Sequence, residues 1–119
     1  MKFDHLSIPV TNADRSRDWY VATLGLRVEF EVAERRTVAL QDSGGFTVFL
    51  QEVASAVDPN GCAMWFQVAD VDVTFAEWSA RGVAFSHGPQ KSFWGYGAEL
   101  LDPDGYSIRL WDEQSMRQK

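Results

Sequence analysis

The chain has 119 residues, 45% of them hydrophobic and 24% charged, a composition that suits one compact globular domain. Eleven Lys and Arg against 17 Asp and Glu give a formal charge of −6 with no basic run, which argues against nucleic acid as a partner. A lone Cys62 excludes an internal disulfide and a cysteine-built zinc site. With no apolar signal core and no 18-residue apolar run, the expectation is a cytoplasmic protein with no membrane partner.

Residues 3–10 alternate as a strand, Phe3, His5 and Ser7 on one face and Leu6, Ile8 and Val10 on the other; Pro9 places it at an edge. Thr11-Asn12-Ala13-Asp14 supplies N-cap chemistry and an acidic first turn for a helix to about Leu24, which Gly25 stops. Residues 26–33 return to a strand pattern, with Leu26, Val28, Phe30 and Val32 on one side. Residues 37–41 and 46–52 form a hairpin across Asp42-Ser43-Gly44-Gly45, and 53–61 are a connector.

The pattern then restarts. Residues 62–68 are a strand, and a helix ending at Gly82 carries Val71, Phe75 and Trp78 on one stripe. A short strand at 83–86 and a loop over 87–96 follow. The final hairpin pairs 97–101 with 106–111 across Asp102-Pro103-Asp104-Gly105. Residues 113–119 read as a frayed polar tail, and Trp19, Tyr20, Phe75 and Trp78 as helix core. A shift of 60 lays Asp42 on Asp102, Gly45 on Gly105, Leu50 on Leu110 and Glu52 on Asp112; a shift of 58 lays Val10 on Val68 and Tyr20 on Trp78. Each half reads βαβββ, so the expected class is α+β: one domain of two modules, 1–60 and 61–119.

With Phe3-Asp4-His5-Leu6, Leu24-Gly25-Leu26, Val68-Ala69-Asp70-Val71, Arg81-Gly82-Val83 and Asp102-Pro103-Asp104-Gly105-Tyr106, the chain resembles the vicinal-oxygen-chelate superfamily of glyoxalases, bleomycin-resistance proteins and extradiol dioxygenases. The resemblance implies mixed curved sheets forming a cupped groove, and a homodimer. In metal-dependent members, four strand positions supply His and Glu ligands. Carried over, they fall on His5, Phe49, Ala63 and Arg109, of which only His5 is a ligand type. A divalent cation about 6 Å from Arg109 meets a repulsion of roughly 5 kcal/mol at an effective dielectric constant of about 20. No metal is therefore expected. Glu99, on the neighbouring strand, is the ion-pair partner that a buried Arg109 requires.

Strand parity gathers His5, Ser7, Phe49, Gln51, Trp65, Gln67, Arg109 and Trp111 on the inward faces, with Trp94 on a Trp-Gly loop like that bordering the ligand groove of bleomycin-resistance-like relatives. Apolar walls with a few convergent polar groups describe a small-molecule pocket. The expected function is metal-independent sequestration of an aromatic or amphiphilic compound, as in antibiotic resistance. One alternative is a lyase, isomerase or dioxygenase with a divalent metal on His5, Glu99 or His87. Another is a dimerising module with a filled interior.

Overall fold

The computed structural model describes residues 1–118 and resolves the chain into two compact units, Met1–Asp58 and a second beginning at Pro59. Lys119, the end of the expected tail, lies outside the described residues.

In the first unit, β1 (His5–Val10) leads into α1 (Ala13–Trp19), which continues as a π-helical turn, Tyr20–Leu24. Strands β2 (Arg27–Val32), β3 (Thr37–Gln41) and β4 (Thr47–Glu52) follow. The sheet order is β1-β4-β3-β2, with β1 parallel to β4 and the other pairs antiparallel. Local chemistry sets both helix ends. The Asn12 side chain accepts the Arg15 amide at 2.9 Å, and Gly25 at φ 74° donates back to Val21 at 3.2 Å. Helix α1 packs on β3 and β4, and Ile8, Val10, Val38, Leu40, Val48 and Leu50 are buried there with Tyr20.

The second unit repeats the plan. Strand β5 (Ala63–Gln67) precedes α2 (Val71–Ala80), β6 (His87–Ser92), β7 (Gly95–Leu101) and β8 (Ser107–Trp111), in sheet order β5-β8-β7-β6. Strands β5 and β8 are parallel, and Ala98, Leu100, Ile108 and Leu110 are buried. A last helix, α3 (Glu113–Gln118), follows β8. The α+β class and the two βαβββ modules are as expected.

Several local expectations are corrected. Residues 83–86 form no strand, and the expected loop over 87–96 is instead β6, a two-residue turn at Phe93-Trp94, and the start of β7. Pro89 is tolerated because the β6–β7 register skips from His87↔Glu99 to Gln90↔Gly97, so the residues within that bulge need no ladder partner. Residues 113–118 are helical rather than frayed, since Asp112 accepts the Ser115 amide at 2.6 Å. Strand β1 starts at His5 rather than at residue 3. Of the expected helix core, Tyr20 alone is fully buried. Trp19, Phe75 and Trp78 are half-buried, the last two against Phe85 at centroid distances of 4.8 and 6.4 Å.

Candidate functional site

Each sheet turns one face to its helix and leaves the opposite face open, and the pairing registers state what stands on it. In the first unit Ser7↔Phe49, Phe49↔Ala39 and Ala39↔Phe30 form one row across all four strands. The His5 and Phe49 rings stack at 3.8 Å, and Phe30 meets Phe49 edge-on at 5.5 Å. The small Ala39 beneath them is fully buried. His5 Nδ1 lies 3.0 Å from an Asp4 carboxylate oxygen, a hydrogen bond that lowers the Asp4 pKa. Ser7 and Gln51 are exposed on the same face, and Gln51 Nε2 donates to the Arg35 carbonyl at 3.4 Å. At one end of this face a cavity of about 330 Å³ is walled by Phe3, Phe30, Phe46 and Phe49, with the Glu29 and Asp4 carboxylates.

The corresponding row of the second unit is Trp65↔Arg109, Arg109↔Glu99 and Glu99↔His87. Arg109 Nε donates to Glu99 Oε2 at 3.0 Å, both side chains less than one-fifth exposed. The guanidinium carbon lies 5.4 Å from the Trp65 ring centroid, 5.3 Å from Phe93 and 5.6 Å from Trp94. Trp94 meets Trp65 at 4.9 Å and folds back over Gly97, where a Cβ would come within 2.5 Å of its ring. That glycine is what lets the indole lie on the sheet. Gln67 and Trp111 pair as neighbours one row along, Gln67 exposed and Trp111 half-buried.

The nine expected ligand contacts therefore divide between two faces: His5, Ser7, Phe49 and Gln51 on the first unit, Trp65, Gln67, Trp94, Arg109 and Trp111 on the second. Phe30 and Phe93 also stand on these faces, outside that expectation. Phe30 stands on the open face while Val28 does not, because a bulge at Glu29 breaks the parity that put Leu26, Val28, Phe30 and Val32 together. Phe93 was hidden in the presumed loop. An aromatic pair flanked by residues able to form a two-residue turn was its only sequence signal.

The four positions that the resemblance assigns to metal ligands do not fit a cation here. His5 is stacked on the phenyl ring at position 49, Ala63 offers a methyl group, and Arg109 is a cation already joined to Glu99. His87 Nδ1 faces the Gly88 carbonyl at 2.8 Å. Among the described residues, no three His, Cys, Asp or Glu side chains are grouped to hold a metal.

Among the described residues no helix is long and apolar enough to cross a membrane. No curated protein sequence matches the chain. Solved structures do. TnmS3, an antibiotic binding protein from Streptomyces sp. CB03234, is 27% identical with a TM-score of 0.75, over 94% of this chain and 96% of that one. An integron cassette protein from the mobile metagenome of a Halifax Harbour sewage outfall is 23% identical with a TM-score of 0.76, over 92% and 97%. The bleomycin-binding protein of Streptomyces verticillus, solved with copper(II)-bleomycin, shares the fold at 16% identity and a TM-score of 0.75, over 95% and 98%. The model of one family matches residues 2–110, nearly the whole length, and the chain belongs to the Glyoxalase/Bleomycin resistance protein/Dioxygenase superfamily.

Proposed function

We propose that the protein binds a small aromatic or amphiphilic molecule on its open sheet faces and sequesters it without a metal. The observation that carries this reading is the group of three rings, Trp65, Phe93 and Trp94, within 5.3 to 5.6 Å of the Arg109 guanidinium. A core strand has no need of such a cluster, whereas a planar ligand is held by stacking on rings and by a few fixed polar groups. Trp65 is 45% exposed and Phe93 91% exposed, so both offer apolar surface to a ligand. His5, Ser7, Phe49 and Gln51 are the proposed contacts of the first unit, and Gln67 and Trp111 complete those of the second. The likeness to an antibiotic binding protein at 27% identity supports the same reading. Two copies of the chain associate in this proposal, as sedimentation would show.

The test is a thermal-shift screen of planar aromatic compounds, bleomycin and other antibiotics included, followed by calorimetry. Trp65→Ala lowers the affinity of a hit about tenfold, the worth of one lost stacking contact of roughly 1–2 kcal/mol. Binding of no compound, or equal binding by Trp65→Ala, rejects the proposal.

A further inference from the structure

We infer that the second unit's open face selects a planar aromatic monocarboxylate, whose carboxylate is forked by the terminal nitrogens of Arg109 and whose ring lies on Trp65. This rests on the binding reading above and names the class of ligand.

Arg109 has five N–H donors, and Glu99 takes the one on Nε. The three rings around the guanidinium offer π faces but no lone pairs. Among the described residues the two terminal nitrogens meet no hydrogen-bond acceptor, although the side chain is largely covered. Ser16 Oγ is the only buried side-chain polar atom without a partner among the described residues, so the Arg109 fork is open to solvent, where a planar group with two oxygens can match it.

Beside it the structure leaves the space. A cavity of about 360 Å³ is lined by Arg109, Ser107, Ala63, Cys62 and Asn60, on a predominantly polar wall. Arg109 carries the only formal charge among its lining residues, on a chain whose total is −6. The Cys62 thiol is neutral, its pKa raised by burial and by Asp102. The total charge acts weakly here, since at physiological salt it is screened beyond about 8 Å, and the local guanidinium decides the sign. Charge also limits the ligand. With Glu99 already opposite Arg109, one added negative charge leaves the group at −1, while a phosphate dianion leaves −2. Trp65 lies outside the lining of this cavity but directly across from Arg109 in the register, so the carboxylate occupies the cavity and its ring extends from there toward the indole. Two of the four positions that the resemblance assigns to metal ligands, Ala63 and Arg109, thus line an anion-binding hollow instead.

Calorimetry with three probes of one shape, 2-naphthoate, 2-naphthamide and 2-naphthyl phosphate, tests the inference on the full chain. The naphthoate binds about tenfold or more tightly than the amide, and more tightly than the phosphate, with an affinity that falls as salt rises. Arg109→Gln removes the preference for naphthoate. Ser107→Asp, which sets a competing carboxylate in the hollow while keeping both Arg109 and Glu99, also removes it. Equal affinities for naphthoate and amide, or a preference untouched by Ser107→Asp, overturn the carboxylate assignment and leave sequestration standing. Tighter binding of the phosphate overturns the monoanion. If none of the three binds, the carboxylate assignment falls, and the broader screen alone decides the reading beneath it.

Discussion

Glu52 and Asp112 hold the same post in their two units. Each stands where the last strand ends, and each accepts the first backbone N–H of its unit's helix, from Ala13 at 2.9 Å and from Val71 at 2.7 Å. A helix leaves its first amides without intrahelical partners, and a carboxylate there satisfies one of them and opposes the positive end of the dipole. Asp112 is 3% exposed and also receives the Ser115 amide and hydroxyl, so it joins α2 to α3. Asp112→Ala leaves buried donors unpaired and destabilises the fold by about 2–3 kcal/mol in urea denaturation, while Glu52→Ala costs about 1 kcal/mol. Equal, negligible losses would show that these caps do not matter.

That pairing also marks how far the sequence could be read. The shift of 60 that lays Glu52 on Asp112 was visible, as was the parity that gathers the inward-facing side chains, because strands of period two carry that information in any order of letters. The capping role was not visible, since it depends on a helix start 39 or 41 residues away in the chain. Strand β6 was hidden for a different reason. His87-Gly88-Pro89 has the letters of a loop, and only the bulge in its register makes it a strand. Phe30 was misplaced by the bulge at Glu29, which one residue type alone does not announce. The sequence juxtaposed Arg109 with Glu99 correctly, through charge and neighbouring strands, but not the ring of aromatics that the β6–β7 turn brings over them.

Gly97 is predicted to be intolerant of any side chain. A Cβ there would lie 2.2 Å from the Leu110 carbonyl oxygen and 2.5 Å from the Trp94 ring, and the backbone contact has no flexible end to yield. Gly97→Ala therefore costs about 2–3 kcal/mol or more, by the rules of overpacking, and dislodges Trp94 from Trp65. Thermal denaturation reads the first effect and the tryptophan fluorescence spectrum the second. An alanine variant with the stability and spectrum of the parent would mean that Trp94 does not lie on the sheet.

The Arg109–Glu99 pair is predicted to matter more when broken than when removed. Both side chains are less than one-fifth exposed, so truncating one leaves the other charge covered and unpaired. Glu99→Ala, with the guanidinium then facing three rings alone, loses about 1–3 kcal/mol. The double variant Glu99→Met with Arg109→Met loses less than either single change, because no uncompensated charge remains. A double-mutant cycle in urea measures this, and additive losses would deny the coupling.

Cys62 is predicted to be a slow thiol. Burial is the larger cause of its raised pKa and the Asp102 carboxylate the smaller, and both disfavour the thiolate that reacts. At pH 8 iodoacetamide then modifies the folded protein more slowly than it modifies free cysteine, and the rate climbs at higher pH than for the free amino acid. The sign carries over to stability. The unfolded thiol gives up its proton first as pH rises, so the folded state loses ground above the ordinary cysteine range and is unaffected below it. Because Cys62 lines the same hollow as Arg109 and Ser107, a carboxylate held there shields the thiol as well. Saturating 2-naphthoate should slow the alkylation further, and 2-naphthamide at equal concentration should do so far less. A thiol that reacts at the free rate, with or without the probe, would place Cys62 outside that hollow.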